Sequence, residues 1–171
     1  MLSAEYLRSI LHYCPETGVF TWRERVDAPA WWNTRYAGQR AGKVEPRKHT
    51  AYVFIRINGR PYSAHRLAWL YVTGEWPSGE VDHEDGDGLH NWFTNLRDAT
   101  STQNKGNSRR RSTNVSGYKG VTRSASGKRW AARIGVDGCQ YHLGYFDTPE
   151  LAHAAYVEAA KKHFGDFVNP G

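Results

Sequence analysis

An aspartate and a histidine stand side by side at positions 82 and 83, within the stretch VDHEDGDGLHNWFTNLRDATSTQNKGN that runs from 81 to 107. In an extended run, neighbouring side chains point to opposite faces, so Asp82 can hold a cation while His83 serves as a base. Asn104, later in the same stretch, adds a neutral carbonyl oxygen. Asp and Asn oxygens, completed by water and phosphate, suit Mg²⁺ or Mn²⁺. An imidazole with an ordinary pKa near ~6.5 takes a proton from water around neutrality. A hard cation, a base and a basic neighbour together point to phosphodiester hydrolysis. The competing reading is a solvated Asp/Gly turn. A calcium loop is excluded by pattern, because Asp85, Asp87 and Leu89 break the ligand alternation and no Glu closes it.

The charge pattern around these residues is lopsided. No Lys or Arg falls between Arg66 and Arg97, while six acids lie from Glu75 to Asp87. Between Asp98 and Asp137 the sign reverses, with nine Lys/Arg and no acid. Over 171 residues the net charge is +6, which favours an anionic partner, nucleic acid being the commonest. A hydrophobic content of 39%, with seven Trp and ten Tyr, excludes a disordered polyelectrolyte. Cys14 and Cys139 lie far apart without a CxxC partner, so neither a disulfide framework nor a structural zinc site is expected. With no signal peptide and no apolar run near ~20 residues, a cytoplasmic protein without a membrane partner is expected.

The elements that must position these groups are short. Ser3 can cap a helix whose Tyr6, Leu7, Ile10 and Leu11 share a face. YCPETGVFTW reads as a strand broken by a Pro/Gly turn. YVFIRINGRPYSA reads as a hairpin about Asn58-Gly59, with Pro61 placing the return strand at an edge. HRLAWLYVTG predicts a helix ended by Gly74, and a further helix is expected from near Asn95 to about Asn107. SRRRSTNVSG is a polar, basic tether without apolar periodicity. Short β-like runs from Tyr118 to Tyr145 are broken by SASG and VDG. A final helix is capped by Thr148, with Pro149 first and Leu151, Ala155, Tyr156 and Ala159 at helical spacing. The expected layout is α+β: two small units, 1–107 and 116–171, joined by a linker over 108–115.

The segment AHRLAWLYVTGEWPSGEVDHEDGDGLHNWFTNLRDATSTQNKGN resembles the HNH endonucleases, in particular the phage and intron-encoded group. The core of the resemblance spans 65–107, and the preceding hairpins look like those of that group. It implies a ββα-metal fold, a β-hairpin closed by a helix around one divalent cation. It further implies that His83 is the general base, that Asn95 braces the hairpin and keeps the histidine oriented, and that Asp82 and Asn104 are the metal ligands. Glu84, Gly88 and His90 depart from the group's usual residues. His65 reads as a packed structural histidine, His90 as a surface residue, and Asp85 and Asp87 as groups behind the ligands.

Residues 116–169, from SGYKGV to FGDFVN, resemble the DNA-binding domain of the APETALA/ethylene-response-factor type. That resemblance implies a three-stranded antiparallel sheet laid into the major groove with one helix packed behind it. Thr122, Arg133 and the Tyr141-His142 pair depart from the residues by which plant members read bases. Arg123, Lys128, Arg129, Arg133 and Tyr141 are the contact candidates, and Arg109, Arg110 and Arg111 are expected to track phosphates along the tether.

Together these readings describe a homing-type, site-directed endonuclease that uses Mg²⁺ or Mn²⁺ on double-stranded DNA. It would be encoded by a phage or mobile element, act in the cytoplasm of a bacterial host and need no evident protein partner. Two other readings stay open: a DNA-binding regulator with an inactive nuclease domain, and an accessory nuclease of phage DNA packaging.

Overall fold

Ser3 accepts a hydrogen bond from the Tyr6 amide at 3.2 Å and so opens the first helix, α1 (Ala4–Ile10). Leu7 and Ile10 of this helix are buried. The chain then folds into a hairpin, β1 (Leu11–Cys14) and β2 (Val19–Trp22), with the Pro/Gly turn between them. A short helix, α2 (Ala30–Tyr36), precedes a three-stranded antiparallel sheet of β3 (Lys43–Pro46), β4 (Ala51–Ile57) and β5 (Arg60–Ser63). Residues 2–47 and 50–171 are described, in a computed structural model.

β4 shows why this sheet forms. Val53, Ile55 and Ile57 alternate into the core, as period-two burial requires. Ile57 and Arg60 pair across a two-residue turn in which Asn58 (φ 48°) and Gly59 (φ 78°) both take positive φ. That is the type I′ geometry for which Asn-Gly is suited. β5 is an edge strand, where Pro61 can lack its N–H without loss. Helix α3 (Ala64–Thr73) follows, ended by Gly74 at φ 86°. Leu7, Leu11, Phe20, Ile55, Leu67 and Leu70 are all fully buried in one core.

The region after α3 differs from its sequence expectation. A helix was expected from near Asn95. Instead β6 (Glu80–His83) and β7 (Leu96–Ala99) make a two-stranded sheet, with a single 3₁₀ turn at Phe93–Asn95. The helix, α4 (Ser101–Asn107), begins six residues later than expected. Two local preferences decide this. Leu96 and Ala99 are buried, which suits a paired strand. Thr100 and Gln103 form a reciprocal capping box, which fixes the helix start at Ser101.

The chain divides into two compact units, Met1–Asp98 and Ala99–Gly171. In the second, β8 (Val121–Arg123), β9 (Trp130–Val136) and β10 (Cys139–Phe146) form an antiparallel sheet in the order β10-β9-β8. It packs on α5 (Pro149–Phe164), capped by the Thr148 side chain. The buried stripe of α5 is Ala152, Tyr156, Ala160 and Phe164, and Leu151 is exposed at 56%. The stripe is thus set by i, i+4 spacing from Ala152 rather than from Leu151. Among the described residues, no helix is long and apolar enough to cross a membrane.

Helix α4 packs within this second unit. A Cβ on Gly106 would lie 2.6 Å from the Phe164 ring, so only glycine allows that approach. The Lys119 ammonium donates to the carbonyl oxygens of Gly106 (2.8 Å), Asn169 (2.9 Å) and Ser108, closing the end of α4. An isolated helix of seven residues is marginal in water, so α4 depends on this packing. Lys119→Met is therefore expected to lower the unfolding free energy of the second unit by about 1–3 kcal/mol, read as a fall in Tm by calorimetry. Removing residues 112–171 takes away Lys119 and Phe164 together and is expected to unfold α4, lowering helix content by circular dichroism beyond the loss of α5 itself.

Candidate active site

The sequence points first to His83, the last residue of β6. Asp82 and His83 are both 5% exposed, so each is held by protein rather than by water. His83 Nε2 lies 3.2 Å from Asn91 Oδ1. The Asn91 amide nitrogen donates to Leu89 O, which fixes Oδ1 as the atom facing the ring. Oδ1 can only accept, so Nε2 carries the proton and Nδ1 is the basic nitrogen. The His65 ring meets the His83 ring edge-on at 5.0 Å, and Tyr52 lies beside both.

Burial lowers the His83 pKa from its ordinary value, against smaller raising contributions from the Asn91 hydrogen bond and from Asp85, Asp82 and Asp87. His65 is pushed down to about 3 by burial, with His83 and Arg66 adding to the effect. His65 is therefore a neutral packed ring, its Nδ1 buried without a hydrogen-bond partner.

The loop from 84 to 92 is held at two places. Asn95 supplies the first. Its carbonyl oxygen accepts from the Glu84 amide at 2.9 Å and its Oδ1 from the Asp85 amide at 3.1 Å. Its side-chain nitrogen donates to Asp85 Oδ1 at 3.1 Å and to His90 O at 2.8 Å. Asn95 thus ties the two ends of the loop, while the contact with the His83 ring comes from Asn91. The first hairpin supplies the second hold. Tyr13 Oη donates to Asn91 O at 2.7 Å, and the Phe93 amide to Pro15 O at 2.8 Å. Gly18, at φ 70°, comes so close that a Cβ there would lie 2.2 Å from the Asn91 carbonyl carbon. Asn91 was missed in the sequence because it looks like one more polar loop residue. Its signal would have been its place after the Asp/Gly turn, within reach of a β6 side chain.

Asp82 Oδ2 accepts from Arg97 of β7 at 2.6 Å, a largely buried ion pair. Arg97 was also passed over in the sequence, where it was only part of the NLR run. Asp82 is a hard oxygen donor of the kind the expected cation takes, and in this structure its Oδ2 is held by Arg97. A buried carboxylate and an Asn carbonyl are hard oxygen ligands for a divalent ion. Asp82, His83 and Asn95 stand in the first unit, and Asn104 stands on α4 in the second. Among the described residues, no three His, Cys, Asp or Glu side chains gather as a metal-holding group. Asp85 and His90 form an exposed pair at 2.6 Å, and the His90 ring stacks on Trp92.

In the second unit, cross-strand register sorts the DNA-contact candidates between two faces. Ala132 and Ile134 are buried with α5, so residues paired with them share that side. Tyr141 pairs with Ile134 and stacks on His163 of α5, which puts it on the helix side. The opposite, open face carries Thr122, Arg133, Gln140, His142 and Tyr145. Arg123 lies 4.0 Å over the Trp130 ring, and Arg129 bonds to Tyr145 O and Asp147. Lys128 is exposed on the turn before β9. Arg109, Arg110 and Arg111 border one cleft with Arg123.

If Asn91 fixes the base, Asn91→Ala should lower kcat about 10- to 100-fold with little change in KM, measured by plasmid cleavage. Because burial depresses the His83 pKa, the imidazole stays neutral below its ordinary value. Cleavage should therefore persist as pH falls through ~6.5 and be lost only as it passes through the lower, folded value. Asn91→Asp, which keeps an acceptor but adds a negative charge, should move that acid limb to higher pH in a pH–rate profile.

Comparison with known proteins finds two family matches in the chain. Residues 62–105 match the HNH endonuclease family, and residues 116–165 match the AP2 domain. The chain is 29% identical over 100 residues to Protein 3.8 of Escherichia phage T7, covering 58% of this chain and 83% of that one. It is 36% identical over 108 residues to an uncharacterized HNH endonuclease of Acanthamoeba polyphaga mimivirus, covering 62% of this chain and 55% of that protein. No solved structure matches. HNH nucleases generally use a divalent metal, and both domain types imply binding to DNA. The stretch that holds His83 is thus similar to the HNH endonucleases, and the sheet and helix that follow it in the chain are similar to the AP2 domain.

Proposed function

We propose that this protein is a metal-dependent, site-directed endonuclease of double-stranded DNA, of the homing type and encoded by a phage or related element. Its reaction is hydrolysis of a phosphodiester to 5′-phosphate and 3′-hydroxyl ends. The observation that carries the reading is the hydrogen bond from His83 to Asn91, which sets a buried, neutral imidazole with Nδ1 as its basic nitrogen.

His83 takes the proton of the attacking water at Nδ1, and Asn91 holds the ring so that the lone pair keeps one direction. The β6–β7 pair supplies the two strands that the ββα-metal reading requires, and the resemblance names Asp82 and Asn104 as the residues that would hold Mg²⁺ or Mn²⁺. When bound, the cation stabilises the charge that develops on the phosphate and on the leaving 3′ oxygen. Asn95 keeps the loop behind the histidine closed, and the largely buried surroundings of His83 limit competing solvent.

The AP2-like unit supplies affinity and site choice. Its open sheet face presents Arg133 with His142 and Tyr145, groups that can donate to base edges or phosphates. Arg109, Arg110, Arg111, Arg123, Lys128 and Arg129 add phosphate contacts around it. Tethering a reader to a nuclease raises the local concentration of the catalytic unit at one site.

Supercoiled plasmid tests the reading. With Mg²⁺ or Mn²⁺ the protein is expected to convert it to open-circular or linear form, and EDTA is expected to stop this. His83→Ala should lose at least about 100-fold in rate while its DNA affinity, measured in EDTA, stays within about twofold. Undiminished cleavage by that variant would remove His83 from the mechanism.

A further inference from the structure

The first unit has a basic surface that neither family match covers. Residues 23–60 carry nine Lys/Arg and three acids, a net +6. The whole C-terminal part, 99–171, with eleven Lys/Arg and five acids, reaches the same +6. The basic character of the protein is therefore shared by its two ends, and the intervening 61–98, with two Lys/Arg and seven acids, is net −5.

These cations share a surface with half-buried aromatic rings and one exposed one, Trp31. On β4 the residues between the core positions, Tyr52, Phe54 and Arg56, line the outer face of the three-stranded sheet. Lys43 of β3 pairs directly with Phe54, which puts its chain on the same face. Trp31, Trp32 and Tyr36 of α2 border the same groove as Phe54, Lys43 and Arg56. Trp31 is 63% exposed, a large apolar ring that no part of its own unit covers. Two of the acids are already neutralised: Asp27 pairs with Arg25 at 2.8 Å and Glu45 with Arg47 at 3.5 Å. Lys43, Arg35, Arg40 and Arg56, of the same segment, are exposed cations.

The face is also continuous with the catalytic centre. Tyr52, at one end of the row, has its ring 6.0 Å from that of His83, and Gly88 of the loop lies against it. From Tyr52 to Arg56 the strand advances about 14 Å, roughly four base pairs of B-form DNA.

We infer that the outer face of the β3-β4-β5 sheet, with α2 beside it, binds the DNA duplex next to the scissile phosphate, Lys43 and Arg56 taking backbone phosphates and Trp31 packing on the sugar edge. This rests on the reading of the protein as a DNA endonuclease and adds to it a grip belonging to the nuclease unit itself. The nuclease domain is then held on DNA close to the cut as well as through its reader. A row of cations with an apolar ring is what a duplex backbone takes, and contacts of this kind carry no demand on base sequence.

The test uses the full chain in EDTA with a fluorescent 40-base-pair duplex of random sequence, its affinity followed against salt. For the double variant Lys43→Gln/Arg56→Gln, the slope of log K against log salt should fall by about 1.8, and affinity at 0.1 M salt on the order of 60-fold. Lys161→Gln/Lys162→Gln, an equal charge change in the last turn of α5, should leave the slope unaltered. Trp31→Ala should weaken duplex binding without changing the slope. An unchanged slope in the first variant, or an equal fall in the α5 variant, overturns the proposal. Plasmid cleavage by the wild type is scored separately. A protein that binds and cuts, with a first variant that binds as wild type, fails the surface alone, whereas a wild type that neither binds nor cuts fails the endonuclease reading with it.

Discussion

One buried hydrogen bond, between the His83 ring and Asn91, is what much of the first unit is arranged to hold, and the proposed general base depends on it. Burial alone would leave an imidazole free to choose its tautomer. Asn91 removes the choice, since its amide nitrogen is committed to Leu89 O and only its oxygen faces the ring. Asn91 is itself 2% exposed, and its carbonyl accepts from Tyr13 of the first hairpin. A constraint that starts at residue 13 thus ends at His83. The N-terminal hairpin, outside the matched family region, helps to hold the loop that faces His83.

The acids around the histidine have structural work within that arrangement. Asp82 pairs with Arg97, Asp85 accepts from Asn95 and His90, and Asp98 accepts from Ser78 and the Gly79 amide. Much of the negative stretch is therefore engaged in shaping a short loop that has almost no apolar core of its own. Hydrogen bonds to charged groups are each worth about 1.5–3 kcal/mol, enough to replace hydrophobic packing in so small an element. A net negative centre flanked by two positive regions also suits an enzyme that must bring together a cation and a polyanion. In the proposed endonuclease the flanks attract the DNA, and the centre attracts the ion.

The second unit solves a different problem with similar economy. Its sheet has one face on α5 and one open, so residues of one strand separate by parity into packing and contact sets. Lys119 closes the end of α4 onto the same unit through three carbonyls. The helix that bears Asn104 is consequently stabilised by packing within the second unit.

Local signals were legible in the sequence wherever a single residue type dictates backbone geometry. Ser3, Asn58-Gly59, Pro61, Gly74 and Thr148-Pro149 each gave their element because cap, turn and ring chemistry act over four residues or fewer. The two domain types were legible too, because their motifs hold spacing over forty residues or more. The start of α4 was not, since Leu96–Ala99 can be helix or strand by local preference and pairing with β6 decides. Nor was the side of the sheet on which Tyr141 falls, which depends on register against Ile134 and on the bulge between His142 and Gly144. Asn91 and Arg97 were in view as letters, but their roles are distances to His83 and Asp82 across different segments. Sequence determined which chemistries the chain possesses, and tertiary pairing alone decided which of them meet, because a hydrogen bond between residues apart in sequence is a property of the fold.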